Sequence, residues 1–139
     1  MSTYSFTESS YEQAIIELFR ERLRYDYIYG PSVERDYSEP LHLELLQQSL
    51  YGINPTQPAE AIEEAITKIR TIETGALEQR NETFTDYLQN GVEVNFHDNK
   101  EQRATRVKLI DYSTPTNNTF TVANQWTVEE RSVRRADIV

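Results

Sequence analysis

A change of hydrophobic period at Gly91 constrains this chain more than any other feature. Before it, apolar residues recur every three or four positions; after it they alternate, so helices come first and strands follow. Among the early segments, 58–75 is the most regular. Ile62, Ala65, Ile66, Ile69 and Ile72 share one helical face, while Glu60, Glu63, Glu64, Lys68 and Arg70 cover the other. Pro58 suits the first helical position and Gly75 the C-terminal cap. Beyond Gly91, residues 92–96 alternate, 106–111 alternate with one slip, and 120–128 read as a third strand bent near Asn124. Residues 97–105 read as a polar connection, 113–119 as a turn, and 135–139 as a last strand. Helices followed by a meander of strands predict an α+β fold, with residues 1–139 as one domain.

The N-terminal segment carries its own helix signals. Residues 7–10 offer several capping side chains, and Ser10 with Gln13 has capping-box spacing. Glu8 and Glu12 sit where the helix dipole favours acids. Tyr11, Ala14, Ile15, Leu18, Phe19 and Arg22 keep helical spacing, and the helix is expected to end near 23–26. A short strand over 27–29 stops at Gly30-Pro31. A second helix over 41–51, ended by Gly52, and a short fourth helix starting near Asn81 complete the helical part. Together they make residues 41–91 a helical insert.

Composition excludes several classes. Cysteine is absent, which removes disulfides and thiolate zinc sites and suits a cytoplasmic location. No apolar run is long enough to span a membrane, and residues 1–6 lack signal-peptide character. Fourteen basic against 23 acidic side chains give a net charge of −9, so the chain alone should bind nucleic acid poorly. No phosphate-cradling glycine loop is present.

The last residues carry the chemistry. In Arg134-Arg135-Ala136-Asp137-Ile138-Val139 an exposed acid opens a strand. A carboxylate fixed there is a common way to hold a divalent metal against a phosphate, although one acid does not make a site.

Several spaced blocks resemble one family. They are Phe6-Thr7-Glu8-Ser9; Tyr25-Asp26-Tyr27-Ile28-Tyr29-Gly30-Pro31; Gly91-Val92-Glu93-Val94; and Val107-Lys108-Leu109-Ile110-Asp111-Tyr112. Asn117-Asn118, Asn124-Gln125-Trp126-Thr127-Val128 and the arginine–aspartate block above complete the series. In order and nearly end to end, they resemble the N-terminal domain of the R (HsdR) subunit of type I restriction-modification enzymes. That resemblance implies a nuclease of the PD-(D/E)xK class, joined in the whole subunit to an ATP-driven translocase. It implies Mg²⁺ at the cleavage site and ATP only in the translocase region, which this sequence does not contain. Partners would be double-stranded DNA and the modification and specificity subunits. The family's first metal-binding acid matches Asp137. A glutamate of the first helix often adds a ligand, and Glu8 matches best by position, with Glu12 the weaker choice. The family's Glu-x-Lys motif, about one β-hairpin further on, is missing from this sequence. With Asp137 and Glu8 alone, metal affinity should be weak and the isolated chain inactive. The last strand should lack its usual cover and fray or associate with a second copy.

Each candidate also has a plainer account. Asp137 could be an ordinary strand-edge acid, and Glu8 could serve the helix dipole alone. Arg134 and Arg135 could pair with Glu129 and Glu130 across a hairpin. Glu93, His97 and Asp98 read as a solvated strand end rather than a metal cluster, and Tyr25, Tyr27, Tyr29 and Tyr37 as packing rather than base stacking. The competing function is a non-catalytic docking module in which the 41–91 insert binds other subunits.

Overall fold

A computed structural model describes residues 7–72 and 75–139. The chain forms two compact units, Met1–His42 with Thr119–Val139, and Leu43–Asn118.

In the first unit, α1 (Glu8–Glu17) starts at Thr7, whose Oγ1 accepts the Ser10 N–H at 3.2 Å. Such a cap stabilises a helix by about 1 kcal/mol. A π-helical turn, Leu18–Arg22, carries the helix on to Leu23, as the spacing predicts. Arg24, at φ 61°, then reverses the chain, and Tyr25 packs between Phe19 and Phe120 at ring distances of 5.0 and 5.3 Å. β1 (Asp26–Tyr29) lies parallel to β4 (Thr121–Glu129), which is antiparallel to β5 (Val133–Ile138). The sheet order is β1-β4-β5, so β4 is central, with Val122, Ala123 and Trp126 buried on it and Ile16 buried on α1. A fully buried Ile or Val side chain contributes about 1.5–3 kcal/mol.

Arg35 fastens the loop after β1 to this sheet. Its guanidinium lies 3.9 Å from the Trp126 ring centroid and donates to the carbonyls of Glu39, at 2.7 Å, and Thr127. Trp126 Nε1 donates to Pro40 O at 2.8 Å, which satisfies the indole where the ring is buried.

In the second unit, α2 (Leu43–Ile53) and α3 (Ala59–Arg70) pack together, and α3 covers the hairpin of β2 (Val92–Asp98) and β3 (Glu101–Val107). Its core is Leu50, Ile53, Ala61, Ile62, Ala65, Ile66, Ile69, Val92, Val94 and Val107, so the isoleucine face is core, as its period predicts. α4 (Leu77–Asn90) ends at Gly91, φ 81°, where a Cβ would stand 2.7 Å from Val107 O. After β3, Asp111 organises a tight loop. Its carboxylate accepts from Ser113 N at 3.1 Å, Thr114 N at 3.0 Å and Asn117 Nδ2 at 3.1 Å.

The α+β class stands, while several boundaries move. The strand expected over 106–111 spans Glu101–Val107 instead, and most of the expected polar connection becomes ladder. Asn99 and Lys100 both take positive φ, 49° and 67°, making a two-residue hairpin turn. Asn-Lys lacks the glycine that usually marks such a turn, so the sequence conceals it. Gly52 lies inside α2, and Asn54 ends that helix: its Nδ2 donates to Leu50 O and Lys108 O, both at 2.9 Å. α4 begins at Leu77 rather than near Asn81, because the Gln79 side chain accepts the Ala76 N–H at 2.9 Å.

Candidate functional site

The kink in β4 is the starting point. Gln125 sits at φ 52°, in the left-handed region, where a non-glycine residue is strained. In a regular strand successive side chains point to opposite faces. Here two consecutive amides converge on one acid. Asn124 Nδ2 donates to Glu12 Oε1 at 2.9 Å, and Gln125 Nε2 donates to Glu12 Oε1 and Oε2 at 3.0 and 2.9 Å. Tyr27 OH in turn donates to Asn124 Oδ1 at 2.9 Å, which fixes the amide's orientation. Gly30 makes room for the kink: a Cβ there would strike the carbonyl oxygens of Asn124 and Gln125.

Electrostatics follow from these bonds. The Gln125 amide, then that of Asn124, holds the Glu12 carboxyl below its usual range, and Arg135 of β5 acts in the same direction. Glu12 is therefore a fixed, ionised acceptor at neutral pH rather than a proton donor.

Asp137 lies on β5, exposed, between the registered pairs Asn124↔Ile138 and Trp126↔Ala136, and so across from Gln125. Two residues from Arg135, it shares that side chain's face of the strand. Glu8 is exposed in the first turn of α1, one helical turn before Glu12. The geometry thus ties Glu12, Asn124 and Gln125 into one network beside Arg135 and Asp137, while Glu8 makes none of these bonds. Asn124, Gln125 and Tyr27 were not marked as site residues by sequence; two adjacent amides inside an apolar strand are the signal that points to them. Arg134 and Arg135 lie across from Val128 and Thr127, and Glu129 faces Val133.

A divalent ion asks for several oxygen ligands in one place. Among the described residues, no three His, Cys, Asp or Glu side chains come together to hold a metal ion. Both Glu12 oxygens already accept amide hydrogens. The residues described do not by themselves fit such an ion. In the second unit, Glu93 and Asp98 instead pair with Arg106 and Arg103 at 3.4 and 3.3 Å.

The sequence that builds this α+β fold matches a known family of restriction subunits. The family described as "Type I restriction enzyme R protein N terminus" matches residues 5–139, and the chain belongs to it. It is 28% identical over 132 residues to the type I restriction enzyme HindI endonuclease subunit of Haemophilus influenzae, covering 89% of this chain and 12% of that one. It is also 29% identical over 138 residues to an endonuclease subunit named for type I restriction enzyme MjaIXP of Methanocaldococcus jannaschii. That match covers 92% of this chain and 13% of the relative. The chain thus spans about one eighth of the length of these relatives. No solved structure matches. Among the described residues, no helix is long and apolar enough to cross a membrane.

Proposed function

We propose that this chain is part of the DNA-cleaving R subunit of a type I restriction-modification system, acting on double-stranded DNA with the modification and specificity subunits. The family match over residues 5–139 carries this reading. In it, Asp137 supplies one carboxylate to a Mg²⁺-dependent cleavage centre, and ATP serves the translocase of the whole subunit. In this reading the helix acid is Glu8, with Glu12, whose carboxylate is held by the Asn124 and Gln125 amides, the weaker choice. In this reading the isolated chain is inactive, because one or two carboxylates hold Mg²⁺ only weakly.

The test is cleavage by an assembled enzyme whose R subunit carries this segment. Asp137→Ala should abolish cutting while ATP-driven translocation continues; full cleavage by that variant would remove Asp137 from the site. Glu8→Ala and Glu12→Ala, compared side by side, identify the helix acid by which of them loses cutting. The docking reading finds support in the separate compactness of Leu43–Asn118. It predicts that substitutions there weaken subunit assembly and leave cleavage per assembled complex unchanged.

A further inference from the structure

β4 and β5 are paired at Asn124 and again from Trp126 to Glu129, while Gln125 between them has no registered partner. On β5 the residue skipped in the same way is Asp137. The break coincides with the φ of 52° at Gln125. Strand irregularities of this kind bend the strand and re-aim the side chains beside them. A non-glycine residue stays in that conformation only where its surroundings over-determine it.

Here the surroundings act as two clamps. On one side Gly30, lacking a Cβ, lets its main chain close on the carbonyls of Asn124 and Gln125. On the other, the Glu12 carboxylate of α1 takes the Gln125 amide on both oxygens, at 3.0 and 2.9 Å, and the Asn124 amide on one, at 2.9 Å. Three of the roughly four lone-pair sites of this carboxylate are thereby occupied. Tyr27 OH holds the Asn124 amide from its oxygen end at 2.9 Å. The Glu12 carboxylate is thus built into the strand irregularity, and an ion seeking it would displace the bonds that keep the kink.

We propose that Glu12 is an anchor rather than a metal ligand: with Asn124 it holds the β4 kink in place, and Gln125 is the positioning residue that sets where Asp137 stands on β5. The consequence for cutting rests on the cleavage reading of Asp137; the placement of Asp137 by the clamp does not.

Gln125→Ala keeps the strained backbone but removes the amide, so the kink should relax. Glu12→Gln weakens the same tie while keeping a side chain of the same length. NMR of the isotopically labelled chain reads the consequence: the Asp137 main-chain and carboxyl resonances should move in both variants. In an assembled enzyme the same substitutions should lower cutting, on the order of a hundredfold for a misplacement of about 1 Å, while translocation continues. Exchanging the partners, Glu12→Gln together with Gln125→Glu, again sets one carboxylate against amides. It should restore the Asp137 resonances and cutting together, because an anchor works from either side whereas a ligand moved from α1 to β4 does not. Asp137 resonances that stay put in both single variants, or stay displaced in a folded exchange variant, would overturn the positioning role. Restored resonances without restored cutting would make Glu12 a ligand and overturn the anchor. Resonances that move while cutting stays complete would uphold the clamp and sink the cleavage reading of Asp137 instead. Should Gln125→Ala fail to fold by circular dichroism, Glu12→Gln and the exchange variant carry both measurements.

Discussion

At the scale of single residues, the chain's acids are differentiated by their donors. Asp111, 7% exposed, is held below the usual aspartate range, first by the Thr114 N–H and then by the Asn117 amide. In an unfolded chain this carboxyl titrates at about 3.9. The folded state therefore binds fewer protons near that pH than the unfolded state does. The stability that Asp111 adds is fully present above its unfolded pKa and is lost as pH falls through the lower folded value. Asp111→Asn should be less stable than wild type at neutral pH, with the difference shrinking below about pH 4. Urea unfolding at a series of pH values checks this; a difference that stays constant into acid would refute the role given to ionisation. Glu12 illustrates what sequence alone conceals at this scale. An acid in the first turns of a helix is already explained by the dipole. Its true partners lie 112 and 113 positions away, and nothing local to Glu12 announces them. Asp137 is the reverse case: its neighbours in sequence mark it, while its side chain meets little in the fold.

Elements were legible in proportion to how local their causes are. α3 followed from its own period, and Ile62, Ala65, Ile66 and Ile69 are buried as their spacing predicts. Pro58, however, is the N-cap rather than the first helical residue, and the helix ends at Arg70 with Thr71, not Gly75, as its cap. β3 did not, because its start is set by the left-handed pair Asn99-Lys100 and its register by Val92 opposite Val107. The bend expected near Asn124 falls at Gln125 and draws its tolerance from the turn Gly30–Ser32 pressed against it. That contact between elements yields a direct expectation. Gly30→Ala should destabilise the chain by about 1–3 kcal/mol, since the added carbon meets backbone that cannot rotate away. Gly52→Ala, where a Cβ meets nothing within 4 Å, is the matched control and should be neutral or slightly stabilising. Thermal unfolding of the two variants separates them, and equal melting temperatures would mean that β4 yields at the kink.

For the whole molecule, the order of helix and strand patterns gave the α+β class, and the spaced blocks gave the family. The division into two units was not legible, because it depends on which strands pair. Residues 120–128 read like any other half-buried strand, yet β4 joins β1 from the far end of the chain rather than β3 just before it.

That parallel pairing has a kinetic meaning. Parallel strands cannot be joined by a tight turn and need a crossover; here the crossover contains the whole of Leu43–Asn118. Bringing β1 to β4 closes a loop of about 90 residues, an entropic cost that precedes any reward from the contacts. The hairpins β2–β3 and β4–β5 close short loops and pay far less. In pulse-labelled hydrogen exchange during refolding, amides of Val92–Asp98 should gain protection before those of Asp26–Tyr29. Simultaneous protection would mean that the two units fold as one cooperative step. If the order holds, the N-terminal segment, although synthesised first, is the last to find its place, and it waits there for residues made some 90 positions later.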